Sequence, residues 1–136
     1  MKSDQARTGL PGKRSSHAFL AIVCAASLGG CGGHPAEPTW AKFGGNPGQG
    51  AILFGRFSCG ACHEVAGVVG ANGKVGPPLS TFADRTMIAG VLPNTPENLV
   101  RWLRHPQAVV PGNAMPDVGL SDAQARDIAA YLYRGR

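Results

Sequence analysis

The stretch Cys59-Gly60-Ala61-Cys62-His63 decides how this chain is read. Two cysteines three positions apart, followed directly by histidine, form the attachment signature of a c-type haem. Each thiol can add across one vinyl group of the porphyrin, and the imidazole next in line reaches the iron. A bare Cys-x-x-Cys serves thiol redox or half a zinc site equally well, and the histidine tips the balance to haem. On the residues alone two other readings stay open. One is a disulfide-closed turn with an incidental histidine. The other is a zinc half-site, for which the chain offers only Cys24, Cys31, His17, His34 and His105, at no regular ligand spacing.

The 136 residues allow one domain, short once its front is removed, and haem would enlarge its core. Twenty glycines and eleven prolines predict loops wrapped between a few helices. The formal charge of +5 suggests a polyanionic partner until its position is considered. Residues 1–30 hold four Lys/Arg against one Asp, which leaves nine basic against seven acidic residues from Cys31 onward, a net +2. Two ionised haem propionates would bring that to about zero, so no nucleic-acid partner is expected.

Residues 1–17 are polar and basic, and 18–28 form an apolar run of eleven, the length of a signal peptide and too short to span a membrane. Leu28-Gly29-Gly30-Cys31 resembles a bacterial lipobox, whose cysteine is acylated and becomes the first mature residue. Residues 1–30 are therefore expected to be a lipoprotein-type signal peptide, and Cys31 a lipid anchor on the periplasmic side of a bacterial membrane. Ordinary cleavage at the small residues and retention of the leader as an anchor are the alternatives. Cys24 would leave with the leader. Residues 31–47, rich in Gly and Pro and without periodicity, read as a flexible tether. Trp40 and Phe43 are the residues in it that can fold back on the domain beginning at residue 48, and His34 is expected in solvent.

Within that domain, Leu53, Phe54 and Phe57 at helical spacing predict a short helix entering the haem motif. Gly50 lies four residues before Phe54 on one face, where a missing side chain lets another helix approach closely. After His63 a glycine-rich excursion ends in Gly76-Pro77-Pro78-Leu79. Neither proline has an N–H, so this turn presents carbonyls. A haem-ligating histidine needs an acceptor for its other ring nitrogen, and Pro77 is the candidate. The segment 85–92 is expected as a short helix stopped by Pro93, with Met87 in the core. Thr95 as N-cap and Pro96 at the first helical position predict a further helix, with Leu99, Trp102 and Leu103 as its apolar face and an end before Pro106. The Trp102 indole N–H and Arg85 are candidates to meet a haem propionate, and His105 is expected to face solvent. Ser121 and Gln124 form a capping box that opens a last helix, burying Ile128, Ala129, Tyr131 and Leu132 against the Gly50/Phe54 helix.

Pro111-Gly112-Asn113-Ala114-Met115-Pro116 is the second informative stretch. A methionine bracketed by Pro and Gly in a loop is badly placed to fill a core and well placed to aim a thioether at a fixed point. Met115 is accordingly the expected sixth iron ligand, opposite His63.

In this order the elements resemble a class I cytochrome c: the Gly50/Phe54 helix, Cys59-x-x-Cys62-His63, Gly76-Pro77-x-Leu79, Pro111-Gly112-x-x-Met115 and a C-terminal helix with Tyr131. The resemblance covers residues 46 to 134. Segments 90–99, 102–107 and 111–116 look like the cytochrome c domain fused to subunit II of some bacterial haem-copper oxidases. It departs from them at Val110, where those domains often carry Lys. The copper-site cysteine motif and transmembrane helices of a true subunit II are absent from the sequence, so oxidase activity does not carry over.

The resemblance implies an all-α, small class I cytochrome c fold over residues 48–136, three to five short helices wrapped around one covalent haem c. Cys59 and Cys62 would hold that haem, with Pro77, Leu79, Arg85 and Trp102 around it and His63 and Met115 on the iron. The implied work is one-electron transfer in a respiratory chain, between a quinol-oxidising donor complex and a terminal oxidase, as a carrier or an accessory component of the oxidase and not as an enzyme. The competing class is a haem-based gas sensor or peroxidase-like enzyme with a displaceable sixth ligand.

Overall fold

The computed structural model describes residues 37–134. The expected signal peptide, Cys31 and His34 lie outside them. Four helices carry the domain: α1 (Pro47–Arg56), α2 (Pro96–Arg104), α3 (Pro106–Val109) and α4 (Asp122–Tyr133). A two-residue antiparallel pair, β1 (Met87–Ile88) with β2 (Leu92–Pro93), is the only ladder among the described residues. The architecture is small and mostly helical, as the resemblance implies.

Each long helix starts where its sequence stops the backbone N–H groups from being orphaned. Asn46 accepts from Gly48 N at 2.8 Å and Gln49 N at 3.2 Å, with Pro47 at the first helical position. The Thr95 hydroxyl accepts from Asn98 N at 3.3 Å. Ser121 and Gln124 close their capping box at 3.3 and 2.9 Å.

The domain is built on the crossing of α1 and α4, its most extensive helix pair. Gly50 sits at the crossing, where a Cβ would lie 2.0 Å from the Asp127 carbonyl oxygen and 2.7 Å from Tyr131 Cβ, so no other residue fits without moving the helices apart. One turn on, the Phe54 and Tyr131 rings pack with centroids 6.1 Å apart. The Asn46 N–H donates to the Asp127 carboxylate at 2.7 Å and ties the start of α1 to the same helix. α4 also touches α2 and two short 3-10 turns, Thr39–Phe43 and Phe82–Asp84. Contact on several sides buries every residue from Ile128 to Tyr133 instead of a single stripe.

Two expectations need correction. The stretch from Thr39 onward is part of the domain and not a tether: Thr39–Phe43 is a 3-10 turn, Phe43 is 1% exposed, and its ring lies 4.6 Å from that of Tyr133. Two aromatic side chains outweigh the glycines that flank them. The segment 85–92 is not a helix. Ala89 and Gly90 take φ of 50° and 75°, a tight turn closed by Val91 N–H donating to the Ile88 carbonyl at 3.0 Å. Asn94 holds the hairpin in place, its amide donating to the carbonyls of Phe82 and Arg85 while its oxygen accepts from the Tyr133 hydroxyl. In consequence Ile88 is buried and Met87, expected in the core, is 41% exposed.

Candidate functional site

The haem motif leaves α1 through Ser58, whose φ of 54° turns the chain sharply into the 3-10 turn Cys59–Ala61. The Cys59 carbonyl accepts from both Cys62 N and His63 N, at 3.2 and 3.0 Å, which fixes the two thiols and the imidazole relative to one another. Neither cysteine is paired in the structure, and both stand at intermediate exposure. Burial pushes the Cys59 thiol above its usual range; a backbone hydrogen bond pulls it down and neighbouring Cys62 pushes it further up. Among the described residues, no three His, Cys, Asp or Glu side chains gather to hold a bare metal ion.

The excursion after His63 folds straight back on the motif. Gly76 N donates to the Cys62 carbonyl at 2.8 Å, and Leu79 N to that of Glu64 at 2.7 Å. This return lays the Pro77 carbonyl 2.9 Å from His63 Nδ1. A carbonyl only accepts, so Nδ1 donates, and of the two neutral tautomers the contact selects the one that leaves the Nε2 lone pair open to a metal. Gly76 passes so close that a Cβ there would sit 2.2 Å from His63 Cε1. Gly76→Ala is therefore expected to push the ring off Pro77 and to cost about 1–3 kcal/mol, as overpacking does. Urea unfolding measures it, and an unshifted midpoint would mean that the backbone yields freely.

His63 and Met115 line the same cavities, together with Cys59, Cys62, Leu79 and Trp102. The walls are largely apolar. Leu79 is buried and Trp102 half-buried. Arg85 lines the rim of the same space, its guanidinium donating to the Pro78 carbonyl and lying 5.5 Å from the Phe82 ring centroid. Met87 is not among the lining residues, and His105 is exposed.

Met115 arrives on a loop held by two carboxamides that the sequence reading passed over. Gln107 donates to the carbonyls of Asn113 (2.9 Å) and Met115 (2.8 Å) and accepts from Gly112 N (3.1 Å). Asn113 donates to the carbonyls of Pro106 (3.0 Å) and Val110 (2.6 Å) and accepts from Met115 N (2.8 Å). The signal available beforehand was only two amide side chains bracketing a Pro-Gly turn.

A family model for cytochrome c matches residues 48–134. The chain belongs to the cytochrome c family. Subunit 2 of cytochrome c oxidase from Alkalihalophilus pseudofirmus is 41% identical over 87 residues, 62% of this chain and 24% of that protein. The same subunit from a Bacillus species is 38% identical over 88 residues, again 62% and 24%. Cytochrome c2 from Rhodopila globiformis is 33% identical over 100 residues, 65% of this chain and 92% of that protein. The cytochrome thus spans about a quarter of the length of the oxidase subunits that it matches. The cofactor of this family is a covalent haem c, one to a domain of this size. The residues present suit that group: two fixed thiols, an imidazole with its tautomer set, a thioether and an apolar cavity among them.

Proposed function

We propose that this cytochrome is a membrane-anchored lipoprotein that carries single electrons within a respiratory chain, to or near a terminal oxidase. In this reading Cys59 and Cys62 bind the porphyrin through thioethers, His63 and Met115 are the axial ligands, and Arg85 and Trp102 face the propionates, with Leu79 packing against the macrocycle. The haem, once bound, takes up and releases one electron; a thioether opposite imidazole favours the ferrous state and a high potential. The Pro77 carbonyl orients His63 and strengthens its donation. The apolar walls keep water from the ring and disfavour the extra charge of the ferric centre. Arg85, tied to Pro78 and stacked over Phe82, keeps a cation at the rim where the acidic groups of the cofactor need one.

The observation that carries the reading is the shared cavity in which a tautomerically fixed His63 and the loop-borne Met115 meet beside the two free thiols. An optical spectrum of protein made in a host with haem-attachment machinery tests it: one covalent haem per chain and a sulfur-to-iron charge-transfer band are expected, and a high-spin spectrum without that band would overturn it. The oxidase connection is supported by the likeness to oxidase subunits over the matched quarter of their length.

The anchor rests on the Leu28-Gly29-Gly30-Cys31 sequence. Among the described residues no helix is long and apolar enough to cross a membrane. Cys31→Ser is expected to move the protein from the membrane to the soluble fraction or to block its maturation, because stable anchoring takes more than one acyl chain. Unchanged fractionation of the variant, with no acyl mass on the wild-type N-terminus, would refute the anchor.

A further inference from the structure

We infer that Gln107 and Asn113 are positioning residues for the Met115 thioether, and that their interlocked amides, more than the sulfur–iron bond itself, set how readily the sixth position opens. The inference rests on the reading of Met115 as an axial ligand. A thioether is a weak, neutral donor, so something other than bond strength has to keep it in place. Core packing does so only in part: Met115 and Val118 rest against the core, but from Gln107 to Gly119 no residue is fully buried, and the buried anchors are the flanking Pro106 and Leu120.

Hydrogen bonds do. Each carboxamide uses both of its donors and its oxygen, six bonds in all within ten residues. The two amides engage Met115 from both sides, Asn113 through its N–H and Gln107 through its carbonyl. Gln107 also binds the Asn113 carbonyl, so the two braces are joined and must be released together. Gly112, at φ of 78°, lets its N–H reach the Gln107 oxygen and closes the ring of contacts. Moving the Met115 backbone away from the cavity therefore breaks bonds from both amides, so the thioether is left with side-chain rotation alone, whereas sequence-local stiffness from Pro111 and Pro116 would leave the whole loop free to hinge at Gly112.

The test is the rate at which carbon monoxide binds the dithionite-reduced holoprotein, followed in the Soret band, with the charge-transfer band of the ferric form as a second readout. Gln107→Leu, which removes all three of its bonds, is expected to speed binding by about 10- to 100-fold, the factor that two or three lost hydrogen bonds give, and to weaken the ferric band. Asn46→Ala, which removes the α1 cap far from the loop in sequence, should lower stability while leaving the rate unchanged, and so separates loop release from general loosening. If Gln107→Leu yields no holoprotein, Gln107→Glu keeps the acceptor for Gly112 and removes only the donors, and the same acceleration is expected. A rate within twofold of wild type in the folded Gln107 variant, alongside fast binding by Met115→Ala, overturns the inference alone. Wild-type behaviour in Met115→Ala overturns the ligand reading instead.

Discussion

Haem recovered from the double variant Cys59→Ser, Cys62→Ser is expected to leave completely in acid acetone, or no holoprotein will accumulate at all. A hydroxyl is close to a thiol in size but does not add across the vinyl group, so the substitution removes the chemistry and spares the shape. The turn itself is set by backbone groups, since the Cys59 carbonyl receives Cys62 N and His63 N whatever the side chains are. Each single variant should keep one thioether and resist extraction. The effect is all or none in the pair, which makes it the largest expected of any substitution. Haem that stayed covalent in the double variant would sink the assignment of both residues.

Met115→Ala is expected to abolish the sulfur-to-iron charge-transfer band and to lower the reduction potential by a sizeable part of the roughly 0.8 V that axial ligands span. Removing the thioether also leaves the ferrous iron open, so carbon monoxide should bind rapidly where wild type binds it slowly. Met87→Ala supplies the control. Met87 is exposed on the hairpin and does not line the cavity, so its loss should leave band and potential nearly intact. If Met87 proved the more damaging loss, the loop argument for Met115 would fail although the fold could stand.

The parts of the fold legible beforehand are those where one local rule acts alone. Thr95 with Pro96, and Ser121 with Gln124, announce helix starts because their hydrogen bonds close within three residues. Gly50 was readable for a different reason: a glycine on an apolar helical face has few uses other than close packing. Segment 85–92 misled because its apolar spacing fits a helix, and what defeats it is remote. Asn94 binds the carbonyls of Phe82 and Arg85 and takes the Tyr133 hydroxyl, contacts that no window of the sequence displays. In the site, the motif and the Pro77 turn announce themselves through residue chemistry, since two successive prolines have no N–H and can present only carbonyls. Gln107 and Asn113 did not, because a carboxamide looks the same whether it is solvated or saturated.

The folded turn Thr39–Phe43 changes what an anchor at Cys31 would mean. Only Gly32 to Pro38, seven residues, then separate the acylated residue from the packed body, and at full extension they reach at most about 25 Å. A carrier on so short a leash trades bulk diffusion for movement in two dimensions. Its encounter rate would follow its surface density and lateral mobility, and be largely indifferent to the volume of the compartment. Redox partners set deep in a soluble complex would be out of range, while those whose docking faces rise only a few tens of ångströms above the lipid would meet it at a high effective concentration.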